Sequence, residues 1–232
     1  SFYLTDESLD QEYQNMKAAY ERIFTRCGLN FRAVEADSGS IGGDVTNEFM
    51  VLAESGEDDI LFCDTCGYAA NKEKATSGMD LTEAKEDKRR MELVETGEKK
   101  TIEEVSEYLG VPASKTVKTV LFKEELTDKT NYFMALIRGD LDVNEVKIKN
   151  AVNATIELEM IDEEDCKKLG IVKGYVGSLE KNENITVVID ESVKVMRNFV
   201  VGANKENYHY KNTNIEDIKY DLVADIREAR KG

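Results

Sequence analysis

Apolar residues at Leu9, Tyr13, Met16, Tyr20, Ile23, Phe24 and Cys27 recur at helical spacing, which predicts an amphipathic helix capped by Thr5 or Asp6 and ended by Gly28. The pattern then changes to short extended runs. Phe31 to Ala36, Glu48 to Glu54 and Ile60 to Cys63 read as three strands, with a loop carrying Gly39, Gly42 and Gly43 between the first two. A meander fits this spacing better than a crossover, and the helix stripe is expected to lie on the strands, giving the region α+β character. Some strand edges and apolar surface are expected to remain uncovered.

Residues 71 to 92 are highly charged and include Ser77-Gly78, which predicts a connector that is partly helical or mobile. Regular patterning resumes at Thr101-Ile102-Glu103-Glu104, a capping box in which the hydroxyl and the Glu104 carboxylate each satisfy an N–H of the first turn. Ile102, Val105 and Leu109 form the buried stripe of that helix, and Gly110 with Pro112 stops it. Strand and helix patterns alternate thereafter: strands at 117–123 and 132–138, helices at 143–152 and 163–169, and a loop over 174–184. Strand 185–190, a short helix from Glu191, and strands at 198–202 and 208–212 complete the series. The alternation predicts a mixed sheet with helices packed on it.

The 232 residues suffice for one large or two modest cores. Cys27, Cys63, Cys66 and Cys166, with no signal-like or long apolar segment, point to a soluble chain in a reducing, cytoplasmic setting with no membrane partner. A formal charge of −16 excludes a general polyanion binder, so any contact with nucleic acid must be local. Lys85, Lys88, Arg89, Arg90, Lys99, Lys100, Lys115, Lys118, Lys123, Lys147 and Lys149 are the candidates, set against solvated faces balanced by Glu and Asp.

Two stretches carry a family resemblance. Phe31 to Cys63 followed by Asp64-Thr65-Cys66-Gly67-Tyr68-Ala69-Ala70-Asn71-Lys72-Glu73-Lys74-Ala75 resembles the part of bacterial prolyl-tRNA synthetase that follows motif 2 of the class II core. Val223-Ala224-Asp225-Ile226-Arg227 resembles the return to that core before motif 3, and with Ser1 in first place the chain is expected to be a piece of a longer protein. Residues 93 to about 213 resemble the inserted editing domain of these enzymes, also known as free-standing YbaK-like deacylases. The resemblance implies an α/β (α+β) fold: a partial antiparallel class II core over 1–71, a charged connector over 72–92, a mixed-sheet YbaK-like editing domain over 93–215, and a return segment over 216–232.

It also implies hydrolysis of tRNA(Pro) wrongly charged with alanine. The lysine of Lys-Thr-Val-Lys-Thr is Lys118, the aspartate ending Val-Val-Ile-Asp is Asp190, and the histidine after Gly-Ala-Asn is His209. Read from the residues alone, Lys118 is a strand lysine pointing away from Val117 and Thr119, either solvated or able to hold a phosphate or oxyanion. Asp190 serves equally as the N-cap of the helix from Glu191. His209, the sole histidine, lies between Tyr208 and Tyr210; the family reading makes it a pocket residue, and its neighbours fit a packing residue. Thr96, Gly177, Ser178 and Gly202 are further substrate-side positions by resemblance.

Two departures from the family pattern stand out. Gly177-Ser178-Leu179-Glu180-Lys181 lacks the usual second Gly-Pro, and Asn47, before Glu48, replaces a common histidine in the proline-pocket region. Cys63-Asp64-Thr65-Cys66 has zinc-knuckle spacing without a second pair, so no metal site is expected. The parent enzyme would be a homodimer joining proline to tRNA(Pro) with ATP and Mg; the fragment itself needs no cofactor. A non-catalytic insert that guides tRNA is the competing expectation.

Overall fold

The computed structural model describes residues 2–37, 46–56 and 58–230. Ser1 and the loop glycines Gly39, Gly42 and Gly43 lie outside the described residues. The chain divides into two compact units, Ser1–Ala75 and Thr76–Gly232.

In the first unit, helix α1 (Asp6–Arg26) opens on the predicted Thr5 cap, which exchanges hydrogen bonds with Ser8, and Gly28 follows its end with φ +70°. Strands β1 (Phe31–Glu35), β2 (Asn47–Val51), β3 (Ile60–Phe62) and β4 (Ala69–Asn71) form one sheet in the order β2-β1-β4-β3. The expected antiparallel meander is corrected here, because β4 enters between β1 and β3 and pairs in parallel with β1 at Glu35 and Ala70. Alanine has weak strand propensity, which hid β4 in the sequence, yet Ala69 and Ala70 are buried. The helix rests on the sheet through Tyr20, Phe24, Phe31 and Phe49, whose rings lie 5.2–5.8 Å apart. Such aromatic pairs add about 0.5–1.5 kcal/mol each beyond burial. Leu9, Met16 and Ile23 on the same helix remain about half-exposed, so the stripe is only partly covered within this unit.

The second unit contains β5 (Glu92–Glu95), α2 (Ile102–Leu109), β6 (Val117–Glu125), β7 (Thr130–Arg138), α3 (Glu145–Ala151), β8 (Glu159–Met160) and α4 (Glu163–Leu169). It continues with β9 (Ile185–Asp190), α5 (Glu191–Lys194), β10 (Phe199–Gly202), β11 (Tyr208–Thr213) and β12 (Leu222–Ala224). A five-stranded mixed sheet runs β12-β9-β7-β6-β8 and a three-stranded antiparallel sheet runs β10-β11-β5. β7 is buried on both faces. Met134 and Leu136 enter the cluster with Val187, Ile189, Phe199 and Val201, while Phe133 and Ala135 meet Phe122, Ile148, Val188 and Ile226 on the other side. This two-sided burial explains its continuous apolar run. Capping boxes start α2 at Thr101 and α4 at Asp162, and glycines in the left-handed region end both, Gly110 at φ +64° and Gly170 at φ +68°.

The division between the two units, at Ala75 and Thr76, falls inside the expected connector, whose remainder carries no helix. Residues 79–91 run without helix or strand and are tied down within this unit. Ala84 N–H donates to Val195 O (3.0 Å), and Arg197 donates to Glu86 O and pairs with Glu83. Asn198 exchanges hydrogen bonds with Asp87 O and Arg89 N, and Lys115 pairs with Glu86. Two of the charges that read as a solvated linker, Glu83 and Glu86, have ionic partners here, and the other bonds hold the backbone. The return segment likewise joins the second unit, β12 pairing in parallel with β9 and Ile226 fully buried.

Candidate functional site

The two sheets of the second unit meet where Thr116, just before β6, bridges in parallel to Val200 on β10. That junction brings Lys118 and Thr119 of β6, Gly202 of β10 and His209 of β11 to one cavity of about 330 Å³, together with Lys100 and Gly174 from flanking loops. The cavity wraps around the start of β6, so it takes lining from Val117, Lys118 and Thr119 alike, and strand alternation does not separate Lys118 from its neighbours as expected.

His209 is buried, and its Nδ1 lies 2.7 Å from the hydroxyl of buried Thr96, immediately after β5. The register explains the meeting, since His209 pairs with Val94 on one side and Gly202 on the other. The Thr96 hydroxyl donates to Asn207 O (3.3 Å), an arrangement that fits a ring holding its proton on Nδ1 and a lone pair on Nε2. Burial holds the His209 pKa down to about 4, so the ring is neutral at neutral pH. Tyr175 meets it edge-on at 5.5 Å.

Lys118 Nζ lies 3.0 Å from Asp142, and the Lys118 hydrogen bond holds the Asp142 carboxyl below its ordinary range. Asp142 also pairs with Arg230. Lys100 adds a second ammonium at the rim, 5.7 Å from the centroid of the Tyr175 ring. The sequence offered no local signal for Tyr175 or Asp142, which reach the site only through loop packing and an ion pair. The threonine hydroxyls on the wall are engaged: Thr116 donates to Ala113 O and Thr119 to Val176 O, while Thr101 caps α2. No serine or cysteine is among the described residues lining the cavity.

The structure does not bring Asp190 to this cavity. Its carboxylate is fully buried and accepts from Ser192 N (2.8 Å), Ile226 N (3.0 Å) and Arg227 Nη1 (3.0 Å to each oxygen). The N-cap reading therefore describes its geometry, extended by a buried ion pair with a residue 37 positions later. Arg227, itself 1 % exposed, has its pKa raised: burial works against the charge, but Asp190 and Asp225 outweigh it.

Gly177 and Ser178 also stand apart from His209. A Cβ on Gly177 would lie 2.1 Å from Gly202 O, and one on Gly202 would lie 2.3 Å from Tyr175 C, so each glycine permits the loop to press on β10. Ser178 is buried and donates to Lys219 O (2.5 Å). Both line a separate cavity of about 190 Å³ with Leu179, Asn204 and Tyr210. In the first unit, Asn47 accepts from Tyr13 OH (3.2 Å) and donates to Val34 O (3.3 Å), and borders a third cavity of about 260 Å³, whereas Glu48 faces solvent one step along β2. Among the described residues, no group of three His, Cys, Asp or Glu side chains could hold a metal ion, and no helix is long and apolar enough to cross a membrane.

Comparison with known proteins follows the same division. Residues 96–220 match a family model described as the aminoacyl-tRNA editing domain. The whole chain is 49 % identical to a proline–tRNA ligase of Fusobacterium nucleatum and 46 % identical to one of Geobacter metallireducens. In each case it spans 40 % of the relative's length. A solved structure described as a candidate trans-editing enzyme for prolyl tRNA synthetase superposes on 60 % of this chain and 87 % of its own, with TM-score 0.50 and 19 % identity. The hypothetical protein APE2540 does so over 60 % and 92 %, with TM-score 0.51 and 21 % identity. At these identities the two structures establish the fold alone.

Proposed function

The chain belongs to the aminoacyl-tRNA editing domain family, and from that premise we propose that its second unit hydrolyses the ester of tRNA(Pro) mischarged with alanine. The observation that carries this reading is the convergence of Lys118 and neutral His209 on one cavity large enough for an aminoacyl ester and its ribose. Water is the nucleophile, because the wall threonines have other partners and no serine or cysteine is among the described lining residues. Attack on the carbonyl carbon breaks the ester C–O bond, releasing alanine and a ribose hydroxyl that takes up the proton lost by the water. The Lys118 ammonium holds the terminal phosphate or the developing oxyanion, where fixed charge acts most strongly. His209, held by Thr96, presents a small neutral wall that selects the amino acid by size and polarity.

The expected result is faster release of alanine from Ala-tRNA(Pro) than of proline from Pro-tRNA(Pro). Equal slow release of both, at the rate without protein, overturns the proposal.

One observation favours a second reading, a non-catalytic insert that guides tRNA. The loop of Gly177 and Ser178 is packed on β10 and on Lys219, and its glycine is used against protein backbone. Tight binding of tRNA(Pro) without turnover would select that reading. We also place the chain in a longer protein that ligates proline to tRNA(Pro) with ATP and Mg.

A further inference from the structure

Among the described residues lining the cavity of His209, three carry a charge: Lys100, Glu103 and Lys118. Lys100 and Glu103 offset one another at the rim, so the sign of the field at the mouth rests on Lys118. That lysine is not alone, because its Nζ lies 3.0 Å from Asp142 Oδ1. Counted as a pair, Lys118 and Asp142 are neutral, and in a chain of net charge −16 a neutral mouth offers a phosphate no net attraction. The second oxygen of Asp142 changes the balance. Arg230 Nη2 pairs with Asp142 Oδ2, and Arg230 Nη1 donates to Asp140 O (3.3 Å). The Asp140 carboxylate does not compete for Arg230, since Arg138 donates to both of its oxygens (2.6 and 2.9 Å).

Backbone contacts fix the place of this cluster. Asn144 N donates to Ile226 O (2.8 Å) and Glu228 N to Asp142 O (2.9 Å), around an antiparallel bridge between Val143 and Arg227. Ile226 and Arg227 are buried, and Arg227 is anchored on Asp190. The segment from Ile226 to Arg230 therefore carries a guanidinium to the carboxylate that holds Lys118.

Resting on the hydrolysis proposed above, we propose that Asp142 and Arg230 are positioning residues for Lys118. Asp142 fixes the ammonium at the cavity wall, and Arg230 offsets the carboxylate that does so. Two cations and one anion then present one net positive charge to the phosphate of a tRNA end. The hydrogen bond from Lys118 keeps the Asp142 carboxyl below its ordinary range, so the cluster holds its charges at neutral pH. Ion pairs this exposed are weak, and an incoming phosphate can share Lys118 without breaking a costly contact.

The side chains of Asp142 and Arg230 are 58 % and 51 % exposed, so Asp142→Asn and Arg230→Gln leave the core intact. Binding of 5′-AMP to the full chain is read from the C2–H resonance of His209, the sole histidine and part of the cavity wall. Arg230→Gln should weaken AMP binding roughly two- to fivefold, and Asp142→Asn should tighten it by a similar factor, both differences shrinking at high salt. With Ala-tRNA(Pro), Arg230→Gln should act mainly on KM. Asp142→Asn should instead lower kcat about tenfold without raising KM, because the ammonium is no longer held in place. Unchanged AMP affinity in Arg230→Gln, or weaker affinity in Asp142→Asn, overturns the proposal. The expected AMP ranking in a chain that releases no alanine supports the charge balance and overturns the hydrolysis alone.

Discussion

Asp190→Ala separates a buried brace from a site residue. The carboxylate accepts from Ser192 N, Ile226 N and Arg227, and all of these residues are buried. Losing the cap costs about 1 kcal/mol. Most of the loss comes from Arg227, left as a buried cation. Breaking a buried pair from one side costs about 3–5 kcal/mol, and the remaining contacts to Glu191 (3.2 Å) and Asp225 (3.5 Å) place the total within that range rather than above it. For a unit of this size the loss lowers the melting temperature by roughly 6–20 °C. The chain has no tryptophan, so urea unfolding is followed by far-UV circular dichroism. Asp190→Leu combined with Arg227→Met removes both charges and should recover most of the stability, because paired apolar replacement is often neutral. Asp190→Ala with unfolding unchanged to within about 0.5 kcal/mol, yet deacylation abolished, would refute this and return Asp190 to the catalytic group.

Three further outcomes follow from the site. His209, as the only histidine, gives one imidazole C2–H resonance, which should not titrate between pH 8 and about 5.5, its midpoint lying near 4; a midpoint near 6.5 contradicts the buried neutral ring. Since the unfolded chain binds this proton near pH 6.5 and the folded one only near 4, the stabilisation is full above 6.5 and falls as pH drops through that window, by up to about 3 kcal/mol. The slope of urea stability between pH 7 and 4.5 should therefore lessen in His209→Gln. Gly202→Ala drives a Cβ into Tyr175 backbone at 2.3 Å, where no rotamer relieves it, and should destabilise by at least about 1–3 kcal/mol in the same unfolding assay.

Local chemistry was readable wherever both partners are close in sequence. Thr101 with Glu104 and Gly110, and the Asp190 cap on α5, lie within one turn of what they bind. The helical period of α1 was equally visible, although the sequence could not tell that Leu9, Met16 and Ile23 stay half-exposed. What failed was long-range. β4 carries two alanines with little strand signal, and its place between β1 and β3 is set by packing. The connector looked like a free linker because residues that hold its backbone, Val195, Arg197 and Asn198, lie more than a hundred residues away. Asp190 was assigned by resemblance to the site, but Arg227 claims it from the far end of the unit. Lys118 and His209 are 91 positions apart, and only the junction of two sheets through Thr116 and Val200 puts them on one cavity.

The most direct measurement of that junction's purpose is single-turnover deacylation of Ala-tRNA(Pro) by the wild-type chain and by Lys118→Ala. The Lys118–Asp142 pair is partly exposed, so the substitution should change stability by less than about 1 kcal/mol. The rate should fall about 10²–10³-fold if the ammonium stabilises the reacting ester or holds its phosphate. Wild-type turnover that persists unchanged in a folded Lys118→Ala variant would contradict the assignment of the cavity as the site of hydrolysis.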